Sequence, residues 1–115
     1  MNTKSNTVEK TYTLLKYSIP ILAKFPRNQK YLLGDRIENG MLEVLELFVQ
    51  AYYIKKGKKI EFLLQANLKI ETLRFLVRLS HELLLISTKQ YELMVRQLND
   101  IGSDAGAWIK FVEQE

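Results

Sequence analysis

Two arginines four positions apart, Arg74 and Arg78, are the residues of this sequence best suited to recognise another molecule. On a helix they would lie one turn apart on the same face, where their like charges repel each other. A guanidinium donates paired hydrogen bonds to a phosphate or a carboxylate. Glu71 and Glu82 lie at helical spacing and could neutralise the arginines. The pattern therefore leaves two interpretations: a solvated strip of ion pairs, or a binding site for phosphates or an acidic protein surface.

A second basic group surrounds Gly57. It consists of Lys55, Lys56, Lys58 and Lys59. If a helix ends at Gly57, the lysines before it compensate the negative end of the helix dipole. The same side chains could instead contact phosphates, and both interpretations stay open here.

Metal and cofactor chemistry is largely excluded by composition. The chain has one histidine, His81, and no cysteine, so a zinc site built from Cys and His is ruled out. A di-iron bundle needs two Glu-x-x-His motifs, whereas Arg78 stands three positions before His81. No glycine-rich phosphate loop occurs. We predict no metal and no cofactor.

Arg74 and His81 form the one catalytic pattern in the chain. Their R-x6-H spacing resembles that of the helical HEPN ribonucleases, in which the histidine acts on the 2′-hydroxyl and the arginine stabilises phosphate charge. Phe75 follows the arginine where those enzymes usually carry a polar residue. The structural alternative is that His81 flanks the core and forms local hydrogen bonds.

These polar residues belong to a stretch, 63–84, that carries two apolar stripes at helical spacing. The first contains Leu63, Ala66, Ile70, Leu73, Val77, Ser80 and Leu84. The second, on roughly the opposite face, contains Leu64, Leu68, Thr72, Phe75, Leu79 and Leu83. A helix that is apolar on two faces is buried on two faces. We therefore expect one face to pack inside the domain and the other against another subunit, with Arg74 and Arg78 on the exposed seam.

Apolar spacing predicts four helices, at about 8–25, 29–56, 60–85 and 88–112, after a flexible tail over 1–7. Pro20 predicts a kink in the first helix or its division into two. Asn28 is a candidate N-cap of the second helix, with Pro26 as its first residue in the alternative.

Particular residues predict contacts and boundaries within these helices. Gly40 predicts close approach of a neighbouring helix, since glycine otherwise weakens a helix. Ser87 and Gln90 form a capping box that predicts the start of the fourth helix. Gly102, followed by Ser103 and Asp104, predicts a break in that helix.

The sum is a single all-α domain, an antiparallel up-down-up-down four-helix bundle with short connections. No apolar run approaches the length of a membrane span, and the N-terminus lacks an apolar signal core, so we expect a cytoplasmic protein without membrane contact. A net charge of +4 and a pI near 9.3 suit an acidic partner such as RNA or DNA.

A series of short motifs extends over about residues 9 to 112. In order they are Lys10-Thr11-Tyr12, Lys24-Phe25-Pro26-Arg27, Leu33-Gly34-Asp35-Arg36, Ala66-Asn67-Leu68, Leu73-Arg74, Arg78-Leu79, Gln90-Tyr91, Ile101-Gly102 and Trp108-Ile109-Lys110. Together they resemble the accessory variability determinant (Avd) family of diversity-generating retroelements. Ser103-Asp104 departs from the apolar or basic character expected there.

The resemblance implies a non-enzymatic four-helix bundle that assembles as a barrel-shaped homopentamer. It implies binding to the retroelement's reverse transcriptase and to RNA or DNA, in support of mutagenic reverse transcription. Arg74 and Arg78 match as the leading partner-binding residues, and Arg27, Arg36 and Lys110 lie in matching motifs. Lys69 is added from helix geometry alone. The related four-helix proteins of 23S rRNA intervening sequences are the alternative, and a helical adaptor without nucleic acid is the plainest one.

Overall fold

The computed structural model describes residues 3–115, with side chains from Asn6 onward, and it forms four helices. Helix α1 spans Thr3–Leu22, α3 spans Lys56–Glu82 and α4 spans Thr88–Gln114. Helix α2 consists of an α-helical start, Arg27–Gln29, a π-helical segment, Lys30–Gly34, and a long α-helical part, Asp35–Tyr53. No strand occurs between Thr3 and Glu115. The all-helical prediction is confirmed.

The helices pack as neighbours in chain order, and α4 closes the bundle against α1. Contacts between α2 and α3 run in opposite directions, because Gly40 lies against Leu73 while Glu43 pairs with Lys69. A Cβ at Gly40 would lie only 2.8 Å from Cδ2 of Leu73, so the predicted close approach at this glycine is confirmed. The resulting molecule is elongated, 47 × 23 × 20 Å.

The first apolar stripe of α3 supplies one side of the core, with one exception. Its buried members are Leu63, Ala66, Ile70, Leu73, Val77 and Ser80. Leu84 was predicted to lie on this face, but it is 88 % exposed. The helix ends at Glu82, and Leu84 takes a left-handed conformation (φ 63°) in a closing turn where Leu85 N–H donates to the Ser80 carbonyl at 2.8 Å.

Helix α1 begins at Thr3, inside the segment expected to be a tail; Met1 and Asn2 lie outside the described residues. Polar residues without apolar spacing hid this start from the sequence. The helix is single, so the two-helix alternative at Pro20 is wrong. Pro20 lies in the last turn, and Ala23 N–H still donates to the Ile19 carbonyl at 3.0 Å.

The start of α2 differs by a residue or two from both predictions, because Pro26 is the N-cap and Arg27 the first helical residue. Its end lies earlier than predicted, at Tyr53 instead of Lys56, and Ile54 is extended. Gly57 therefore lies in the first turn of α3 and does not terminate α2.

The boundary between α3 and α4 follows its sequence signal. Ser87 Oγ accepts from Gln90 N–H at 3.1 Å, and Gln90 Oε1 accepts from Ser87 N–H at 2.9 Å, which confirms the capping box. The predicted break at Gly102 is wrong, because α4 continues without interruption to Gln114.

Candidate partner-binding surfaces

The outer face of α3 carries a band of exposed apolar side chains, here called the α3 band. Its members are Leu64, Leu68, Phe75, Leu79 and Leu83, which are between 43 and 70 % exposed. The core covers the first stripe and leaves this second stripe open to solvent. The prediction that the second stripe lies outside the domain interior is confirmed.

Arg74 lies at the edge of the α3 band that faces α4. Its Nη1 pairs with Glu71, and its Nη2 lies 3.0 Å from the position that a Cβ on Gly102 would occupy. The side chain is 30 % exposed, and Nε is buried without a hydrogen-bond partner among the described residues. Asn67 and Ile70 complete an open cleft around it. Gly102 thus provides the space in which the guanidinium lies against α4.

Arg78 lies one turn further along α3 and is more exposed. Its Nε donates to Glu82 Oε2 at 3.0 Å, and this hydrogen bond raises the pKa of Arg78 above its ordinary value. Each arginine therefore has a carboxylate partner on its own helix. Because exposed ion pairs contribute little stability, both arginines can exchange these partners for groups on another molecule.

The opposite edge of the α3 band borders α2, where two predicted residues meet. Lys69 Nζ pairs with Glu43 Oε2 at 2.5 Å, and Arg36, Asn39 and Thr72 line the same groove. The structure therefore brings Arg36 and Lys69 together, but on the other side of the α3 band from Arg74 and Arg78. Arg27 and Lys110 are exposed and line neither this groove nor the Arg74 cleft.

The lysine cluster between α2 and α3 is divided by the fold. Lys59 is only 9 % exposed, and its Nζ donates to the carbonyls of Ala51 at 2.7 Å and Tyr52 at 3.1 Å. It therefore caps the C-terminal end of α2, and its assignment to phosphate contact is corrected. Compensation of the helix dipole was the right interpretation, although it was assigned to Lys55 and Lys56.

The other three lysines point outward. Lys56 Nζ donates to the Glu115 carbonyl at 2.6 Å, whereas Lys55 and Lys58 form no ion pair within residues 6–115. Directly before them lies Tyr53, whose ring is 80 % exposed. Sequence reasoning missed Tyr53 because its position near the core stripe of α2 gave no sign of exposure.

The bAvd-like family model matches residues 6–112 of this chain. The chain belongs to the bAvd-like family. The resemblance to the accessory variability determinant family is thereby confirmed, and this family is an accessory, non-catalytic kind of protein. A comparison with curated proteins finds no match.

In this bAvd-like chain His81 has a local structural role. Its Nε2 lies 3.1 Å from Thr88 Oγ1, and its ring stacks on Tyr91 with centroids 4.5 Å apart. His81 does not line the Arg74 cleft. The arrangement therefore does not support a HEPN-type ribonuclease, and the interpretation of His81 as a locally bonded residue is confirmed.

Asp104, the departure from the family pattern, has a partner on α1. Lys10 Nζ lies 2.8 Å from Asp104 Oδ2 and 3.0 Å from Asp100 Oδ2, and hydrogen bonds to Asp104 and then Asp100 raise the pKa of Lys10. This bAvd-like chain thus uses Asp104 to tie α4 to α1. No group of three or more His, Asp or Glu side chains in its described part is placed to hold a metal ion. Nor does any helix from Thr3 to Gln114 have the length and apolar character needed to cross a bilayer.

Proposed function

We propose that this chain is a non-enzymatic accessory subunit of a diversity-generating retroelement, which binds the reverse transcriptase and nucleic acid to support mutagenic reverse transcription. Membership of the bAvd-like family over residues 6–112 carries the proposal. The positive net charge and the two exposed arginines of α3 support it. The proposed site of action is the cytoplasm.

The α3 band and its arginines have the composition of a protein-binding surface. Protein interfaces combine an apolar centre with aromatic and arginine side chains, and here Phe75 lies next to Arg74 and one turn from Arg78. Glu71 and Glu82, both 58 % exposed, would repel a phosphate backbone at this edge. We therefore assign Arg74 and Arg78 to contact with the reverse transcriptase.

We further propose that the chain is a homo-oligomer, a pentamer as in the family it resembles. A second exposed apolar surface, on α1 and α2, supports this proposal. It includes Tyr12, Ile19, Leu42 and Val49. Because it differs from the α3 band, contact between the two surfaces of successive copies would be heterologous, and such contacts close into rings.

The test is co-purification of the chain with the reverse transcriptase encoded beside its gene. We expect the double variant Arg74→Glu with Arg78→Glu to keep its helical circular dichroism and to lose binding by at least tenfold, because both arginine contacts become repulsive. The matched control, Lys89→Glu with Arg96→Glu, makes the same change of charge on exposed positions of α4. Equal binding by the folded Arg74/Arg78 variant and the control would refute the assignment.

A further inference from the structure

We infer that the end of the bundle where α2 passes into α3 binds single-stranded nucleic acid. In this site the exposed ring of Tyr53 stacks on a base, and Lys55 and Lys58 contact the adjoining phosphates. The inference rests on the proposed function, in which the chain binds nucleic acid, and it names the surface and the form of nucleic acid that the surface accepts.

The charge of this segment is of one sign. Residues 51–60 contain four lysines and no acidic residue. Lys59 is turned inward and Lys56 is bonded to a main-chain carbonyl, so Lys55 and Lys58 are the exposed cations. Unlike Arg74 and Arg78, they have no carboxylate partner in the described part of the chain. A phosphate therefore displaces no existing ion pair here.

Tyr53 provides the aromatic surface. It is the most exposed aromatic side chain in the described residues, and its ring meets that of Tyr52 in an edge contact, with centroids 5.0 Å apart and an interplanar angle of 70°. Such a contact orients the ring while leaving it open to a planar ligand. Beside it lies a groove of about 330 Å³ lined by Val8, Val49 and the acidic Glu9.

Exposed aromatic rings next to cations are the pattern of single-strand binding. Every base presents a face for stacking, while the cations follow the phosphates without regard to sequence. A duplex hides its base faces, so it could use only the lysines. The single carboxylate of Glu9 in the groove is placed on the side away from the lysines in the chain, at α1, and leaves the Lys55–Lys58 side positive.

The experiment measures binding of a labelled oligothymidine of about 12 nucleotides, a length within the usual range for one site, by fluorescence anisotropy at low salt. We expect Tyr53→Leu to weaken binding about tenfold through loss of one stacked base. Tyr53→Phe should bind as the parent does. Tyr31→Leu is the matched control, because Tyr31 is also well exposed but lies at the other end of α2.

Salt dependence tests the lysines separately. Lys55→Gln with Lys58→Gln should lower the slope of log affinity against log salt by about 2, about 1 for each lost phosphate contact. The duplex of the same length should bind more weakly than the single strand, and its affinity should not respond to Tyr53→Leu.

The outcomes separate this site from the proposed function. If the folded Tyr53 and lysine variants bind the oligonucleotide like the parent while the Arg74/Arg78 variant does not, this site is wrong and the proposed nucleic-acid function stands. If the parent chain binds no single strand at low salt, nucleic-acid binding fails with it. In that case the co-purification experiment alone decides whether the chain is a protein adaptor of the transcriptase.

Discussion

At the scale of single residues, the setting of Arg74 depends on a glycine in another helix. Its Nη2 occupies space that a Cβ on Gly102 would narrow to 3.0 Å, while nothing lies within 4 Å of the same position on Gly106. The two glycines, one turn apart on α4, were expected to play a similar part in the packing or fraying of that helix. Only Gly102 has a defined packing role, which is to admit the arginine.

This difference predicts unequal effects of alanine at the two glycines. Gly106→Ala should raise the free energy of unfolding by about 1 kcal/mol, the usual difference in helix propensity. Gly102→Ala should gain clearly less or destabilise, because its methyl group displaces the Arg74 guanidinium. Urea denaturation measures both.

The control is the same pair of substitutions in an Arg74→Ala background. There the two glycine positions should give equal gains, since the side chain that distinguishes them has been removed. Equal gains in the parent background would mean that Gly102 does not position Arg74.

At the scale of helices, the end of α2 is closed by a side chain from the first turn of α3. Lys59 donates to two carbonyls in the last turn of α2, Ala51 and Tyr52, and it is the one lysine of its cluster that is buried. The last carbonyls of a helix lack partners within that helix. Lys59 therefore joins the two helices and fixes the direction in which Lys55 and Lys58 face outward.

Removing this cap should cost stability. We expect Lys59→Met, which keeps the apolar stem, to lower the free energy of unfolding by about 1–3 kcal/mol, the usual range for losing hydrogen bonds from a charged donor. Lys58→Met, an exposed neighbour, should change it by less than about 0.5 kcal/mol. Thermal denaturation by circular dichroism measures both variants, and an unchanged midpoint for Lys59→Met would show that Lys59 does not cap the helix.

At the scale of the whole molecule, two separate apolar surfaces remain open on a chain of 115 residues. One is the α3 band, and the other lies on α1 and α2. If both are covered by further copies, a ring of five would carry a formal charge of about +20, because each chain contributes +4. Such an assembly would present a strongly positive surface to nucleic acid.

Native mass tests this assembly directly. We expect the parent chain to sediment as an oligomer and Leu68→Glu, in the α3 band, to shift it to the monomer, because a charge in an apolar interface is costly. Leu32→Glu is the matched control, since Leu32 is a similarly exposed leucine outside the band. A monomeric parent, or a Leu68→Glu variant of unchanged mass, would contradict the proposed interface.

Some features followed from the sequence because they depend on residues close together in the chain. The two stripes of α3, the close approach at Gly40 and the capping box of Ser87 and Gln90 are of this kind. The ends of α1 and α2 were less accurate, since polar first turns and lysine-rich last turns leave no apolar spacing. Leu84 was misplaced for a similar reason: its spacing continued the stripe after the helix had ended.

By itself, the sequence determined the fold class, the two-faced character of α3 and the family motifs, because helical periodicity and caps are local properties. Only the tertiary structure decided which charged side chains are buried, paired or exposed. Lys59 turned inward, Arg36 joined Lys69, and Arg74 settled against Gly102 because of contacts between different helices. Such contacts depend on how helices pack, and spacing along one helix does not encode them.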